Sequence, residues 1–581
     1  PVEAVERSLR RLEQRDFVHE QPDSTMAGQS EYRFRHVLVR DVCYQRLPRK
    51  ERVARHERTA DWLDAISGGR DTDLAEVLAH HRWAAHEIAR TLGLDAARYA
   101  APARDALYRA AQRAYALRAL DAAATHVERA LTLFSGDEEP LERLRVELFA
   151  TEIDFYRDGD AFLSGGGVER LTALAERLEA HSDQAPAARA WTLLGQAAWL
   201  RADRGAAQSC LERAVALFDA LPDSAAKAEA YAELGRLHML NYERDSAVAA
   251  AGTAAEIAQR LGLIEVQANA RITVGTALYQ AGDPRGLDEL HAVLQLCRAN
   301  QLLALTRASQ NLAYALREEG DYDAAEAVLA DARPADGGHT LATGYSHEAM
   351  RAYFAGDFAR QLEAADAFVD TPGGRWDMQV RGLRNCLRVL RDEPVPTSGD
   401  TDDVADALAT ARRGGFHRPL WSALALGALC RALQGRRAEA EALLAELAQA
   451  VRPITTLASG EWVGFAAHAA ALAGRQAAGT IRELIQNTPR QTYWSRAALS
   501  TVTAALATAL GEHGQAAEYH GAAAGIYAHL RSTTDRMLSL ALTAAAWRRA
   551  GVLELAEVVL AEVREFALAN KAPGLLRLAE A

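Results

Sequence analysis

The chain has 581 residues, of which 49% are hydrophobic, and its formal net charge is −12. This length exceeds what one hydrophobic core supports, and the acidic balance argues against a general binder of nucleic acids or anionic membranes. The five cysteines are isolated and form no C-x-x-C pair, which favours a reducing cytoplasm. No apolar run is long enough to predict a membrane span, and no signal peptide is recognisable. Because the chain begins at Pro1 within a helical pattern, we expect it to be part of a longer protein.

The first 66 residues predict a small mixed domain. Residues 2–17 carry apolar side chains at helical spacing, which predicts an amphipathic helix. A turn-rich segment from Gln21 to Ser30 separates the short apolar stretch at Phe17 from an alternating stretch that begins at Tyr32. A helix, a strand, a loop and a second strand form the second half of a winged-helix domain. We therefore expect a partial winged-helix domain over residues 1–66.

The next segment resembles a known motif. Residues 34–44 read FRHVLVRDVCY, which resembles the motif that closes the winged-helix domain of STAND proteins, the signal-transduction ATPases with numerous domains. The resemblance implies that His36 contacts the phosphates of ADP in the full-length protein, with Arg40 beside it at the start of a helix. The alternative is that His36 only caps a helix or fills a core.

The sequence carries none of the common catalytic motifs. No lysine follows a glycine, which excludes a G-x-x-x-x-G-K-[ST] phosphate loop, and neither H-E-x-x-H nor G-x-S-x-G occurs. His80 and His81 are adjacent, so a helix points them to different faces, and we interpret them as core or capping residues. We expect no catalytic residue, metal or cofactor in this chain. The resemblance implies ATP or ADP in the full-length protein and leaves a nucleotide-cyclase domain there open.

Beyond the first domain, helix-turn-helix units repeat. Trp191-x-x-Leu194-Gly195-x-x-Ala198 nearly spells the tetratricopeptide (TPR) pattern, in which large and small residues interlock two antiparallel helices. Turns at residues 204, 244, 282, 320 and 356 lie 40, 38, 38 and 36 residues apart, and those at 435, 474, 514 and 551 lie 39, 40 and 37 apart. Most of these turn positions are glycine, which adopts left-handed backbone angles without steric cost. One unit cannot bury its own apolar face, so the repetition predicts a stack.

These patterns predict an all-α fold. We expect a TPR-like α-solenoid, a right-handed superhelix of about ten helix pairs, preceded by the partial winged-helix domain with a short β-hairpin. A helical junction with the first repeats is expected at residues 67–150, and the two halves of the superhelix at 151–392 and 404–581. The polar, Pro-rich segment Glu393–Asp403 separates the halves, and we hypothesise that they bend relative to each other there.

A binding groove is expected on the concave face of the superhelix, which the first helix of each pair lines. Registering the repeats on their turns places Asn, Gln, Arg and Tyr side chains on this face. Such side chains make directed hydrogen bonds beside flat apolar area, so they suit a peptide or a polar small molecule. The alternative is a solvated wall with no dedicated ligand. The candidate groove residues are Asn269, Tyr279, Arg307, Gln310, Tyr314, Arg317 and Tyr353.

Two functional hypotheses follow. The resemblance implies the sensor arm of a bacterial STAND ATPase or transcription regulator, in which an inducer or a protein partner binds the superhelix and controls an ATP-dependent switch in the chain's own upstream ATPase module. The alternative is a constitutive scaffold for protein assembly with no small-molecule inducer. Homo-oligomerisation on activation is left open. Neither hypothesis involves a membrane, or direct contact between the solenoid and nucleic acid.

Overall fold

The computed structural model describes residues 2–22, 24, 30–67, 74–134, 141–331, 341–371, 377–452, 454, 460–488 and 491–581. The chain forms two compact units, Pro1–His181 and Ser182–Ala581. The fold is all-α and TPR-like, as the sequence predicts. Among the helices of the described residues, none combines the length and the apolar character needed to cross a lipid bilayer.

The first unit begins with a helix, a β-hairpin and a second helix. The strands pair antiparallel, with Val18 opposite Phe34 and Glu20 opposite Tyr32, which confirms the predicted hairpin. The following helices pack mainly on their neighbours in sequence. The elements are α1 Val2–Gln14, β1 Val18–Glu20, β2 Tyr32–Phe34, α2 Val37–Arg46, α3 Arg49–Ser67, α4 Ala75–Thr91, α5 Ala97–Ala116, α6 Leu120–Leu131, α7 Leu141–Arg157, α8 Gly159–Ser164 and α9 Gly167–Ala180.

The second unit is a stack of helix pairs. In its described part, α10 to α29 form ten consecutive pairs, and the last helix packs on α28 and α29. We call the first helices of these pairs, α10 to α28 in even numbers, the first-helix layer. The elements are α10 Gln184–Leu200, α11 Arg204–Asp219, α12 Ala225–Leu240, α13 Arg244–Leu261, α14 Ile264–Gln280, α15 Arg285–Asn300, α16 Leu305–Glu318, α17 Tyr322–Asp331, α18 Leu341–Ala355, α19 Phe358–Val369, α20 Met378–Leu390, β3 Thr397–Ser398, β4 Thr401–Asp402, α21 Asp403–Gly414, α22 His417–Leu433, α23 Arg437–Val451, α24 Trp462–Ala473, α25 Arg475–Gln486, α26 Tyr493–Ala509, α27 His513–His529, α28 Thr533–Arg549, α29 Leu553–Ala569 and α30 Pro573–Glu580.

Left-handed residues mark the turns between paired helices. Most predicted turn glycines have a positive φ, for example +78° at Gly282 and +81° at Gly320. The prediction of Gly514 as a turn residue is wrong, because that residue lies inside α27 and Gly511, at +82°, makes the turn. The same conformation falls on non-glycine residues in the first two pairs, at Ala202 and Tyr242.

Helices far apart in sequence also contact each other within the second unit. Trp199 packs edge-on against Phe416, with 4.8 Å between ring centroids, and Phe358 packs against Phe566 at 5.5 Å. Helix α18 contacts α28, and α20 contacts α30. Every residue of α22 from Trp421 to Ala432 is buried, as expected for a helix covered on all sides. The stack is therefore not held by neighbouring repeats alone.

The segment predicted to bend is tied to the helices beside it. Strands β3 and β4 pair as a small hairpin within it. Asp402 accepts hydrogen bonds of 2.6 and 2.8 Å from the Arg431 guanidinium, and Asp403 lies 2.5 Å from Arg381 and 2.9 Å from Arg384. Bending at this segment stays a hypothesis, and any such motion has to break these ion pairs.

A glycine substitution tests the close packing of a helix pair. A Cβ atom on Gly286 would lie 2.2 Å from the Tyr279 backbone nitrogen, so Gly286→Ala should lower the free energy of unfolding by about 3 kcal/mol. Gly479→Ala is the matched control, because it lies in α25 with no atom within 4 Å of the added methyl. The control should stabilise by about 0.5–1 kcal/mol. Urea unfolding of the three proteins measures both changes, and equal midpoints for Gly286→Ala and the parent would contradict the observed packing.

Candidate functional site

Arg307 on α16 contacts the neighbouring first helix, α14, and joins these two helices of the first-helix layer. Arg307, in the first turn of α16, donates through Nη1 to the Asn269 carbonyl oxygen at 2.8 Å and to its Oδ1 at 3.3 Å. Its Nη2 donates to Thr273 Oγ1 at 2.8 Å. The structure thus brings together two predicted groove residues, Arg307 and Asn269, and adds Thr273, which the sequence analysis missed.

Glu265 holds both the start of α16 and the Asn269 amide in place. Glu265 accepts the backbone N–H groups of Ala304 at 2.7 Å and Leu303 at 3.0 Å, at the start of α16. Its Oε1 is also 3.4 Å from Asn269 Nδ2, and its carbonyl oxygen is 3.2 Å from the same nitrogen. The Asn269 amide is therefore oriented with its oxygen towards Arg307. A carboxylate at a helix N-terminus also opposes the positive end of the helix dipole.

Arg307 has no carboxylate partner among the described residues, since all three of its acceptors are neutral. Desolvation and, to a lesser extent, the nearby charge of Arg236 lower the pKa of Arg307 to about 10, with Glu233 partly opposing both. Desolvation disfavours the charged form of a base, and an adjacent anion restores it. The site is therefore an electrostatically under-compensated cation.

A small open pocket lies at an earlier part of the second unit, lined by residues of α10, α11 and α12. Arg236 extends over the ring of Trp199, with its Cζ atom 5.8 Å from the ring centroid, and lies 3.8 Å from Glu233. The pocket lining therefore combines one aromatic ring, two charged side chains and three leucines. It is lined by Gly195, Gln196, Trp199, Leu211, Glu233, Arg236, Leu237 and Leu240.

Further along the layer, Tyr314 faces a later part of the chain. The Arg418 guanidinium lies over its ring, 5.2 Å from the centroid. Surrounding protein desolvates the Arg418 guanidinium and so lowers its pKa, although the residue keeps accessible surface. Tyr314 and three other acidic neighbours outweigh this effect and raise the pKa overall. The other three neighbours are Tyr242, Glu461 and Glu318.

The surroundings of Tyr353, another predicted groove residue, are closed to solvent. Tyr353 is 1% exposed and donates its hydroxyl to Asp535 at 3.1 Å, and Ser532 donates to the other carboxylate oxygen at 2.5 Å. Thr534 in turn donates to the Tyr353 carbonyl oxygen. We call these four residues the clasp. A ligand reaches Tyr353 only if the clasp opens.

The remaining predicted groove residues differ in exposure. Tyr279 is buried and donates to the Ala315 carbonyl oxygen at 3.1 Å, so it packs α14 on α16. Arg317 pairs with Glu326 at 2.8 Å, and Gln310 is exposed on the same helix as Arg307. Their role as ligand contacts stays a prediction.

In the first unit, His36 precedes α2 as its N-cap residue. Its side chain makes no capping hydrogen bond and is exposed. Arg40, one turn later, donates to Asp41 at 2.9 and 2.7 Å. The structure thus places His36 and Arg40 on the same exposed helix start, which neither tests nor excludes the ADP contact.

A histidine cluster joins three helices of the first unit, and the sequence analysis missed it. His56 Nδ1 lies 2.8 Å from His81 Nδ1, and Tyr44 Oη lies 2.8 Å from His56 Nε2. Burial, followed by the charges of His56 and His80, lowers the pKa of His81 to about 4. His80 is exposed and His81 is half-buried, which agrees with the expectation that adjacent helix residues lie on different faces, but no local spacing reveals His56, 25 residues before His81. Within the described residues, no group of histidine, cysteine and acidic side chains could hold a metal ion.

Comparison with known proteins adds little. No family model and no curated protein matches the chain. Among solved structures, a Rap protein complexed with competence and sporulation factor matches 70% of this chain and 98% of its own, at 13% identity and a TM-score of 0.35. A circular tandem repeat protein with a novel repeat topology matches 90% of this chain and 98% of its own, at 14% identity and a TM-score of 0.15. These scores are too low to carry an argument about ligands.

The buried carboxyl of the clasp makes stability depend on pH. Burial raises the pKa of Asp535 to about 6, from an ordinary 3.8. As the pH rises from about 4 to 6, the unfolded chain loses this proton first, so the wild type should lose about 3 kcal/mol relative to Asp535→Asn. His468 and His520 have lowered pKa values and titrate in the opposite sense. His468 Nδ1 lies 3.7 Å from Asp535, so its titration is not the same in the two proteins.

Unfolding free energies measured from pH 4 to pH 8 provide the check. Asp245→Asn is the control, since Asp245 is almost fully exposed and its replacement should leave the pH dependence unchanged. Parallel pH curves for the wild type and Asp535→Asn would show that the clasp carboxyl is not buried.

Proposed function

We propose that this chain is the sensor and partner-binding arm of a bacterial, cytoplasmic STAND-class ATPase. A peptide, small molecule or protein partner binds the first-helix layer, and residues 1–46 dock against an upstream nucleotide-binding module of the same protein. The binding event favours the open form of the ATPase over the closed form. A ligand shifts such an equilibrium only by its difference in affinity for the two forms, typically about 1–3 kcal/mol.

The observation that carries the proposal is an uncovered apolar face on the first elements of the chain. Helix α2 buries none of its residues, although its sequence is VLVRDVCYQR. Leu38 is 74% exposed, and Val37 and Val42 are also exposed. Val5 on α1 and Phe34 on β2 are exposed as well. Contiguous apolar surface on a soluble protein marks an interaction site, and the resemblance of residues 34–44 to the STAND motif makes the upstream module its occupant.

The position of His36 supports a nucleotide contact in that assembly. Its imidazole is exposed, makes no capping hydrogen bond and lies next to the first turn of α2. Backbone N–H groups at the start of a helix favour a phosphate. His36 and Arg40 would therefore meet the phosphates of ADP only once the upstream module brings the nucleotide to this face.

Ligand binding reaches the switch through the arrangement of the first-helix layer. The first-helix layer contains both a partly exposed region, around Arg307, and a closed region, at Tyr353. A ligand that binds better to one arrangement of these regions biases the stack towards it. Output through transcription or a cyclase domain, and oligomerisation on activation, belong to the full-length protein.

A pair of exposed apolar residues tests the docking face. In this chain alone, Leu38→Asp should not change the melting temperature, because the side chain is already in solvent. In the full-length protein it should release ADP and raise basal activity about tenfold, since an unpaired charge would be buried against the module. Leu568→Asp is the matched control at 69% exposure on α29 and should change neither property.

Three outcomes would overturn the proposal. One is a coding sequence upstream of Pro1 that encodes no phosphate loop. Another is a full-length protein in which Leu38→Asp and Leu568→Asp behave alike. The third is a constitutive scaffold, recognised by one stably co-purifying protein partner and by nucleotide retention that His36→Ala leaves unchanged.

A further inference from the structure

Two cysteines that are 44 residues apart in sequence meet between neighbouring first helices. Cys386 lies on α20 and Cys430 on α22, and both are buried. The Cys386 Sγ atom lies 3.6 Å from the Leu426 carbonyl oxygen, which in an α-helix also accepts the Cys430 backbone N–H one turn later. The two thiols share a side-chain hydrogen bond. The structure thus forms a dithiol from cysteines that are isolated in the sequence.

The backbones of α20 and α22 approach each other closely at this point. A Cβ atom on Gly382 would lie 2.6 Å from the Leu426 Cβ atom, a separation that only a glycine allows. The two helices are parallel here, because the contact between Gly382 and Leu426 is followed, one turn later in both helices, by the contact between Cys386 and Cys430. Close backbones and facing thiols are what a disulfide requires, since its two Cα atoms lie about 4.4–6.8 Å apart.

The dithiol lies where a disulfide would restrain the Glu393–Asp403 segment. Neighbouring side chains of α20 hold the end of this segment: Asn385 donates to Asp403 at 2.9 Å, and Arg384 lies 2.9 Å from the same carboxylate. Because α20 precedes the segment and α22 follows it, bending at the segment changes the position of α20 relative to α22. A covalent bond between these two helices would oppose that movement.

Burial makes the thiols unreactive while the two helices are packed together. Desolvation, followed by the hydrogen bond to Cys430, raises the pKa of the Cys386 thiol well above its ordinary value. The thiolate is the reactive form of cysteine, so the pair reacts with an oxidant when α20 and α22 separate locally. A small oxidant that enters during such an opening meets both thiols together.

We propose that Cys386 and Cys430 form an oxidation site, at which a peroxide produces a disulfide between α20 and α22 that opposes bending at Glu393–Asp403. One thiolate attacks a peroxide oxygen, the O–O bond breaks, and a sulfenic acid and one water result. The second thiol attacks the sulfenic sulfur, which closes the S–S bond and releases the second water. The two thiols lose two electrons and two protons, and hydrogen peroxide is reduced to two waters. Exchange with small thiols reverses the modification.

Peptide mapping of the 581-residue chain tests whether the disulfide forms. The Cys43→Ser protein, which lacks the exposed native thiol, is reduced and freed of reductant. It is then kept overnight in millimolar hydrogen peroxide, since protein disulfides form in seconds to hours. Remaining thiols are blocked with N-ethylmaleimide before tryptic digestion without reduction. We expect residues 385–388 linked to residues 414–431, and a reducing agent should separate the two peptides.

Three results of the mapping would overturn the inference. The first is that both cysteines are recovered with N-ethylmaleimide attached. The second is that either cysteine is oxidised to sulfinic acid while the linked peptides are absent. The third is that Cys386 or Cys430 is linked to a different cysteine, because the packing of α20 on α22 places these two thiols together.

Hydrogen exchange tests whether the disulfide restrains the segment. Peptides that cover residues 393–403 should exchange about tenfold more slowly after oxidation, and a reducing agent should restore the original rate. Cys386→Ala should show no slowing after the same treatment, because it cannot form the bond, and Cys430→Ala repeats this test from the other helix. Cys297→Ala is the matched control, since it also removes a fully buried thiol, on α15, and should still show the slowing.

Two exchange results would contradict the restraint. One is an equal exchange rate of the segment before and after oxidation of a protein in which the linked peptides are present. The other is an equal slowing in Cys386→Ala and Cys430→Ala, which would assign the effect to oxidation elsewhere in the chain.

Discussion

The arrangement of the second unit depends on a buried polar contact between helices that are distant in sequence. The Tyr353 hydroxyl donates to Asp535 across 182 residues, within a region that excludes solvent from both side chains. Solenoids in general are stabilised by contacts between neighbouring repeats. Here α18 and α28 also support each other, and Gly320 and Gly356 closely approach His529 and Phe566. A buried carboxyl without its hydrogen-bond donors would be costly, so the clasp specifies which repeats meet.

This closure divides the first-helix layer into regions with different exposure to solvent. Around Tyr353 the layer is occupied by the protein itself. Around Arg307 and Trp199 it keeps polar donors, an aromatic wall and accessible surface. One region of the layer is thus partly exposed, and the other is covered by the clasp. Such a division is compatible with the proposed sensor role, in which a ligand on the exposed region would bias the arrangement that the clasp holds.

The sequence predicts those features that arise from local periodicity. Turn spacing and glycine positions predict the pairs, and Gly282 and Gly320 adopt the expected left-handed conformation. Repeat register predicts an open groove at Tyr353, because register shows on which side of a helix a residue lies but not which later segment covers that side. A signal is present in α24, where His468 is the one polar side chain, and in α22, where only Ser422 interrupts the apolar run over residues 420–430, as is typical of helices covered on all sides. Local periodicity does not indicate the role of Thr273, because that role comes from a contact with the next repeat.

The central claim is that later repeats pack on earlier ones within a single chain. Asp323 and Arg531 form an exposed ion pair that is 208 residues apart in sequence, so cysteines at both positions are accessible to a short bismaleimide. With Cys43→Ser removing the exposed native thiol, the account predicts rapid cross-linking within monomers, identified by mass spectrometry of the joined peptides. Cross-links only between chains, or none under native conditions, would contradict the packing described for the second unit.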